Sequence, residues 1–275
     1  MKRAIFNQKG GVGKTSIVCN LAAAMAQLGR KTLVVDLDAQ SNSSQYLLGN
    51  EFPKVSSSVA DFFASTLSFK LFKDSLQKTI VATQYENLYV VPADLSLIEL
   101  QPKLEGRYKI FKLSEALLSV CEKLGFEEVL IDTPPALNFY TMSALLSADR
   151  VLIPFDCDAF SAEAVKQVIA AVTEVREDHR PELEIEGIIV NQYSQNAKQP
   201  KLVLDEIKKE GLAILEPYLT NSVAMRESHS AHSPLVYFKK SHPLSKKFLM
   251  LASELSEELR QVRSKGSSKN QSSYL

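Results

Sequence analysis

A glycine-rich segment near the start of the chain carries the residue types that bind phosphate. An apolar run, residues 4–6, precedes it, and a helix-like run, residues 16–28, follows it. The segment is Lys9-Gly10-Gly11-Val12-Gly13-Lys14-Thr15. A strand, a glycine-rich turn and a helix in this order predict a phosphate-binding P-loop. Glycines let consecutive backbone N–H groups surround phosphate oxygens, and the helix N-terminus adds its positive dipole. We therefore expect a nucleotide phosphate site here.

The side chains of this segment indicate phosphoryl transfer. Lys14 can reach the β- and γ-phosphates, the Thr15 hydroxyl can ligate the Mg²⁺ that bridges them, and Ser16 continues the nucleotide-binding set. The general P-loop pattern would place a glycine where this chain has Gln8, and Lys9 adds a second lysine. The local charge is therefore higher than one P-loop usually carries.

The segment 7–15 resembles the deviant Walker A motif of the ParA/MinD family of ATPases. In that family the early lysine, which corresponds to Lys9, reaches across a dimer interface to the nucleotide of the partner subunit. The resemblance therefore implies an ATPase that uses ATP and Mg²⁺ and forms a homodimer in its ATP state. It also implies catalytic roles for Lys9 and Lys14.

Carboxylates follow two strand-like apolar runs. Asp132 ends one run and is followed by Thr-Pro-Pro, which is similar to the Walker B loop of the family. It would hold Mg²⁺ directly or through water. Asp36 and Asp38 end the other run, and by resemblance Asp38 orients the attacking water while Asp36 supports the Mg²⁺ site. The alternative for all three is an ordinary strand-end acid that caps a turn or is solvated.

Two segments are candidates for the nucleotide base. By resemblance, Asn191 follows a buried strand where family members place a residue that contacts adenine; an ordinary turn asparagine is the alternative. Residues 216–234 align with a second base-contacting segment of the family. We expect backbone contacts there from Leu219 and Thr220.

DNA binding is predicted from charge near the C-terminus. Residues 239–269 hold eight basic and three acidic side chains, a net charge of +5 in a chain of zero net charge. Such a stripe can neutralise phosphates without reading sequence, although it can also be simply a solvated face. An arginine that ParA-type proteins use is replaced by Asn196. The candidate DNA residues are Lys198, Lys201, Lys239, Lys240, Lys246, Lys247, Arg260 and Arg263.

Composition and pattern predict one α/β domain over residues 1–263. Apolar runs alternate with helical spacing, which predicts a doubly wound, mostly parallel sheet flanked by helices. The polar stretch 39–50 is expected to be a loop, and the Ser-, Lys- and Asn-rich segment 264–275 a disordered tail. The three cysteines are expected to be reduced, in a cytoplasmic, nucleoid-associated protein. The histidines at positions 229, 232 and 242 are interpreted as surface or helix-cap residues.

The resemblance leaves more than one function open. The leading hypothesis is a ParA-like ATPase that positions a chromosome, plasmid or protein-cluster cargo, with hydrolysis stimulated by a ParB-like or other adaptor. The alternative is a MinD-like regulator docked on a membrane or protein, but residues 264–275 have no apolar helical face, which argues against a membrane. A metal-cluster carrier would use paired cysteines, and the sequence contains no C-x-x-C.

Overall fold

The computed structural model describes residues 1–68, 75–158, 161–194, 204–205, 207–209 and 211–269, with the backbone alone for 161–162 and 257–269. The strands in these residues are β1 Lys2–Ile5, β2 Thr32–Asp36, β3 Val81–Ala82, β4 Leu88–Val91, β5 Glu128–Asp132, β6 Arg150–Phe155, β7 Glu184–Val190 and β8 Ile214–Leu215. They form one sheet in the order β3-β4-β2-β5-β1-β6-β7-β8. All neighbouring pairs are parallel except β3 with β4. The predicted doubly wound, mostly parallel sheet is confirmed.

Helices pack on both faces of this sheet. They are α1 Lys14–Gln27, α2 Asn42–Leu48, α3 Val59–Leu67, α4 Ser96–Glu105, α5 Lys112–Leu124, α6 Phe139–Ser147, α7 Ser161–Asp178, α8 Val223–Ser230, α9 Leu235–Phe238 and α10 Pro243–Lys269. Alternate residues of β2 enter opposite cores: Leu33 and Val35 join the core under α3–α7, and Val34 joins the core under α1 and α10. Because both faces are covered, the central strands are continuous apolar runs.

Local signals at two helix ends are confirmed. Ser58 caps α3, since its Oγ accepts a hydrogen bond from Ala60 N at 3.1 Å and its own N–H donates to Asp61 at 2.8 Å. This reciprocal pair satisfies two backbone donors that the first helical turn leaves open. Gly125 ends α5 in the left-handed conformation, with φ of 70°. A residue with a Cβ would be strained there.

The structure differs from expectation at residues 39–50, where α2 replaces the predicted loop. The serines of this stretch, Ser41, Ser43 and Ser44, are buried against other polar groups, while Tyr46 and Leu47 pack into the core under α1. Helix α10 runs to Lys269 and so enters the segment predicted to be a disordered tail. The helix predicted near residues 202–210 lies partly outside the described residues.

The cysteines and the helix lengths bear on two other expectations. Cys19, Cys121 and Cys157 are all thiols without a disulfide, as predicted for reduced cysteines. In the described parts of the chain, no helix combines the length and the apolar character that crossing a membrane requires.

Candidate functional site

The glycine-rich loop lies at the carboxyl edge of the sheet, between β1 and α1. Gly11 and Gly13 adopt positive φ angles of 78° and 87°, which let the backbone curl before α1 begins. Lys14 Nζ donates to the carbonyl oxygens of Asn7 at 2.8 Å and Lys9 at 3.1 Å. The ammonium group therefore spans the loop, and burial lowers the pKa of Lys14. A phosphate in the loop would offer this lysine a charged acceptor, which binds more strongly than a carbonyl.

Asp132 lies directly beside the start of α1. Its Oδ2 accepts hydrogen bonds from Thr15 Oγ1 at 2.8 Å and from Ser43 Oγ at 2.6 Å. Among the described residues its other oxygen, Oδ1, is buried without a hydrogen-bond partner. Burial raises the pKa of Asp132 to about 6. An unpartnered carboxylate oxygen next to a threonine hydroxyl fits Mg²⁺, which takes its remaining ligands from phosphates and water.

Asp36 and Asp38 have different environments, although they are two residues apart. The Asp36 carboxylate is buried and accepts hydrogen bonds from Ser44 N at 2.9 Å, Ser44 Oγ at 2.6 Å and Asp38 N at 3.1 Å. Burial, reinforced by the charge of Asp132, raises the pKa of Asp36 to about 8. Asp38 is half-buried and accepts from Gln40 N at 2.9 Å. Asp36 thus fastens α2 to the sheet, and its contribution to the Mg²⁺ site stays a prediction.

Ser43 and Ser44 belong to the candidate site, although the sequence did not reveal them. Both belong to α2, and each hydroxyl binds one of the two buried carboxylates, Asp132 and Asp36. The sequence has no helical periodicity there, because the apolar residues 46–48 are consecutive, whereas a helical face would space them three or four residues apart. Helix α2 therefore links the two strand ends that carry the acids.

Lys9 contacts two carboxylates of its own chain. Its Nζ lies 2.8 Å from Asp156 Oδ2 and 2.9 Å from Asp158 Oδ2, just beyond the end of β6. Burial opposes the charge, but the hydrogen bonds to the two aspartates prevail and raise the pKa of Lys9. To reach a nucleotide in another subunit, Lys9 must leave these carboxylates.

A cavity of about 500 Å³ opens beside the loop. Gly13, Ser16, Asn191 and Thr220 line it, and Asn191 Nδ2 donates to Val12 O at 2.9 Å. The positions predicted for Asn191 and Thr220 thus adjoin the P-loop. These residues can contact a nucleoside whose phosphates lie in the loop.

Leu219 differs from its neighbour Thr220, since it is not among the residues that line the cavity. Its side chain is fully buried. Its N–H donates to Val190 O at 2.8 Å, and its carbonyl accepts from Tyr193 N at 2.9 Å. Both backbone groups therefore join this segment to the end of β7, and a contact between Leu219 and the base stays a prediction.

The predicted DNA residues are only partly brought together. Lys239, Lys240 and Lys246 are exposed where α9 meets α10, and Lys239 pairs with Glu227. Lys247 instead donates to Tyr218 O at 2.6 Å, and burial lowers its pKa. Lys198 and Lys201, and the side chains of Arg260 and Arg263, lie outside the described residues.

Sequence comparison shows which known proteins this chain resembles. A family profile described as an AAA domain matches residues 2–185. The sporulation initiation inhibitor protein Soj of Bacillus subtilis is 30% identical over 257 residues, which cover 92% of this chain and 96% of Soj.

Two solved structures share the fold. Cobyrinic acid a,c-diamide synthase from Mycobacterium smegmatis, with bound ADP and magnesium, has a TM-score of 0.79 at 24% identity, over 94% of this chain and 95% of that one. The septum site-determining protein MinD of Pyrococcus horikoshii, complexed with Mg-ADP, has a TM-score of 0.74 at 25% identity, over 92% and 95%.

Proposed function

Because the chain belongs to the ParA/MinD family of P-loop ATPases, we propose that it is a ParA-like ATPase whose ATP-bound homodimer binds DNA without sequence preference. ATP and Mg²⁺ are its cofactors. The observation that carries the proposal is the two-lysine P-loop set against Asp132, whose Oδ1 has no partner among the described residues. A phosphate-bound Mg²⁺ would satisfy that oxygen and the Thr15 hydroxyl together.

Each residue of the site then has a defined task. Lys14 and the loop backbone would bind the β- and γ-phosphates, and Thr15 and Asp132 would hold a Mg²⁺ ion, whose positive charge would assist phosphoryl transfer. Asp38, the less buried acid, orients the attacking water. Lys9 leaves Asp156 and contacts the nucleotide of the partner subunit. Hydrolysis requires little more than this positioning and charge neutralisation.

DNA would lie against the exposed basic surface at the junction of α9 and α10. Contacts from lysines to phosphates carry no sequence information and weaken steeply with salt. This suits a protein that acts in the cytoplasm on the nucleoid and moves a cargo through a ParB-like or other adaptor. The adaptor would stimulate hydrolysis and release the dimer from DNA.

A second candidate is a MinD-like regulator that docks on another protein or a membrane without binding DNA. The substitution of Asn196 for the arginine of ParA-type proteins favours it, as does the balance of 32 basic and 32 acidic residues. The fold does not separate the two candidates, because it also resembles that of MinD.

Binding to non-specific duplex DNA separates them. The Asp38→Ala protein, expected to retain ATP without hydrolysing it, is titrated with DNA in ATP and in ADP across a salt series. ATP-dependent binding is expected, and changing Lys240 and Lys246 to Glu should lower the salt slope by about two for each subunit of the dimer that contacts DNA. The matched control changes Lys103 and Lys123, exposed lysines on α4 and α5. Absence of binding in both nucleotide states would contradict the DNA role.

A further inference from the structure

His229, predicted from the sequence to be a surface or helix-cap residue, lies half-buried between the cavity and the P-loop helix. Its Nε2 is 2.9 Å from the Oγ of Ser16, a residue 213 positions away at the start of α1. Its ring stacks on Tyr46 of α2, with centroids 4.2 Å apart and planes 6° from parallel. His229 and Ser16 both line the cavity. The imidazole therefore has a defined orientation at the boundary between the loop and the nucleoside compartment.

Surrounding hydrogen bonds fix the stacked pair. The Tyr46 hydroxyl lies 2.8 Å from Ser228 Oγ and accepts from Asn20 Nδ2 at 3.2 Å. Asn20 Oδ1 in turn accepts from Leu235 N at 2.6 Å. These contacts connect α1, α2, α8 and α9, so the ring of His229 cannot turn away without breaking the stack. A polar group held this rigidly loses little entropy when a ligand meets it.

The chemistry of the Ser16–His229 pair depends on where the imidazole proton lies. Burial, with a smaller contribution from His232, lowers the pKa of His229 and so favours the neutral ring, which carries one N–H. If that proton is on Nε2, His229 donates to Ser16 Oγ. The hydroxyl proton of Ser16 is then available to a second acceptor on the cavity side. A phosphate oxygen is such an acceptor.

We propose that His229 is a nucleotide-positioning residue, which donates from Nε2 to Ser16 Oγ and so directs the Ser16 hydroxyl proton to the α-phosphate. The α-phosphate is assigned because Ser16 lies between the loop, which takes the terminal phosphates, and the cavity, which takes the nucleoside. The inference rests on the proposed nucleotide site, and adds a specific contact at its nucleoside end. Since ADP and ATP share the α-phosphate, the contact serves both equally.

A double-mutant cycle on the full chain tests this assignment. The affinity for ADP with Mg²⁺ is measured by calorimetry for wild type, Ser16→Ala, His229→Leu and the double variant, and His229→Leu is repeated with a non-hydrolysable ATP analogue. His229→Leu is expected to weaken both nucleotides by about three- to tenfold, the effect of one neutral hydrogen bond. The double variant should bind no more weakly than Ser16→Ala, because both changes remove the same contact. His229→Gln, whose amide N–H can replace Nε2, should restore most of the affinity.

Controls separate this contact from general effects. His232→Asn changes a nearby exposed histidine at a positive φ of 47°, which asparagine tolerates, and should bind ADP like wild type. Three outcomes would each overturn the inference. His229→Leu could bind ADP with wild-type affinity, the losses in Ser16→Ala and His229→Leu could multiply in the double variant, or His229→Gln could fail to restore affinity. Failure of the nucleotide site itself would appear differently, as unchanged ADP affinity in Lys14→Ala.

Discussion

The close approach of Gly13 to Asn191 allows us to predict how much a substitution of Gly13 in the P-loop lowers the stability of the protein. Gly13 has a φ of 87°, and a Cβ at this position would lie 2.3 Å from Asn191 Nδ2. The Asn191 amide occupies that space because it donates to the neighbouring carbonyl of Val12. Gly13→Ala is therefore expected to impose backbone strain and also to displace the Asn191 side chain.

The two costs can be separated by size. Left-handed backbone costs an alanine about 1–2 kcal/mol, and losing the Asn191–Val12 hydrogen bond costs about 1 kcal/mol. Gly13→Ala should then lower the free energy of unfolding by about 2–3 kcal/mol, or the thermal midpoint by about 4–12 °C. Gly29→Ala is the matched control, since its φ is 81° with no neighbouring atom within 4 Å. It should show the strain alone.

Thermal unfolding of the nucleotide-free proteins measures both costs. Asn191→Ala removes the atom that the new Cβ would meet, so in the Gly13→Ala background it should add almost nothing to the loss. Independent effects would instead add about 1 kcal/mol, or about 2–4 °C. The argument would be refuted by two results together: Gly13→Ala and Gly29→Ala lose equal stability, and the effects of Gly13→Ala and Asn191→Ala add in the double variant. The contact with Asn191 would then not contribute to the destabilisation by Gly13→Ala.

Three further predictions concern the lysines and the buried carboxylates. Lys14→Ala should abolish ATP and ADP binding in calorimetry; retained affinity would contradict the P-loop assignment. Lys9→Ala should bind nucleotide but form no ATP dimer in light scattering. Asp156→Asn, which weakens the contact with Lys9, should dimerise at a lower ATP concentration than wild type. A dimer of Lys9→Ala, or a higher ATP requirement in Asp156→Asn, would count against this role of Lys9. The raised pKa of Asp36 makes the folded protein retain a proton that the unfolded chain releases. Stability without nucleotide should therefore fall as the pH rises from about 4 to about 8. Asp36→Asn should flatten this dependence of the thermal midpoint on pH. A profile that rises with pH, or one unchanged by the variant, would exclude this assignment.

The local features of this protein follow from its sequence. The P-loop is recognisable because its glycines, lysines and threonine are consecutive, and their roles depend on a short stretch of backbone. The cap at Ser58 and the helix end at Gly125 were predictable for the same reason. The buried strands were visible as apolar runs ending in Asp36 and Asp132, since parallel strands covered on both faces leave no polar alternation.

Only the tertiary structure decided how these parts meet. Residues 41–45 have the polarity of a solvated loop, yet Ser43 and Ser44 lie in a helix because buried carboxylates replace water as their partners. The contact of Lys9 with Asp156 joins residues 147 positions apart, and that of Ser16 with His229 joins residues 213 apart. Strand order and helix packing determine which of these distant residues come into contact. No local pattern of side chains encodes such contacts, because the same turn or helix signal is compatible with many arrangements of the elements it connects.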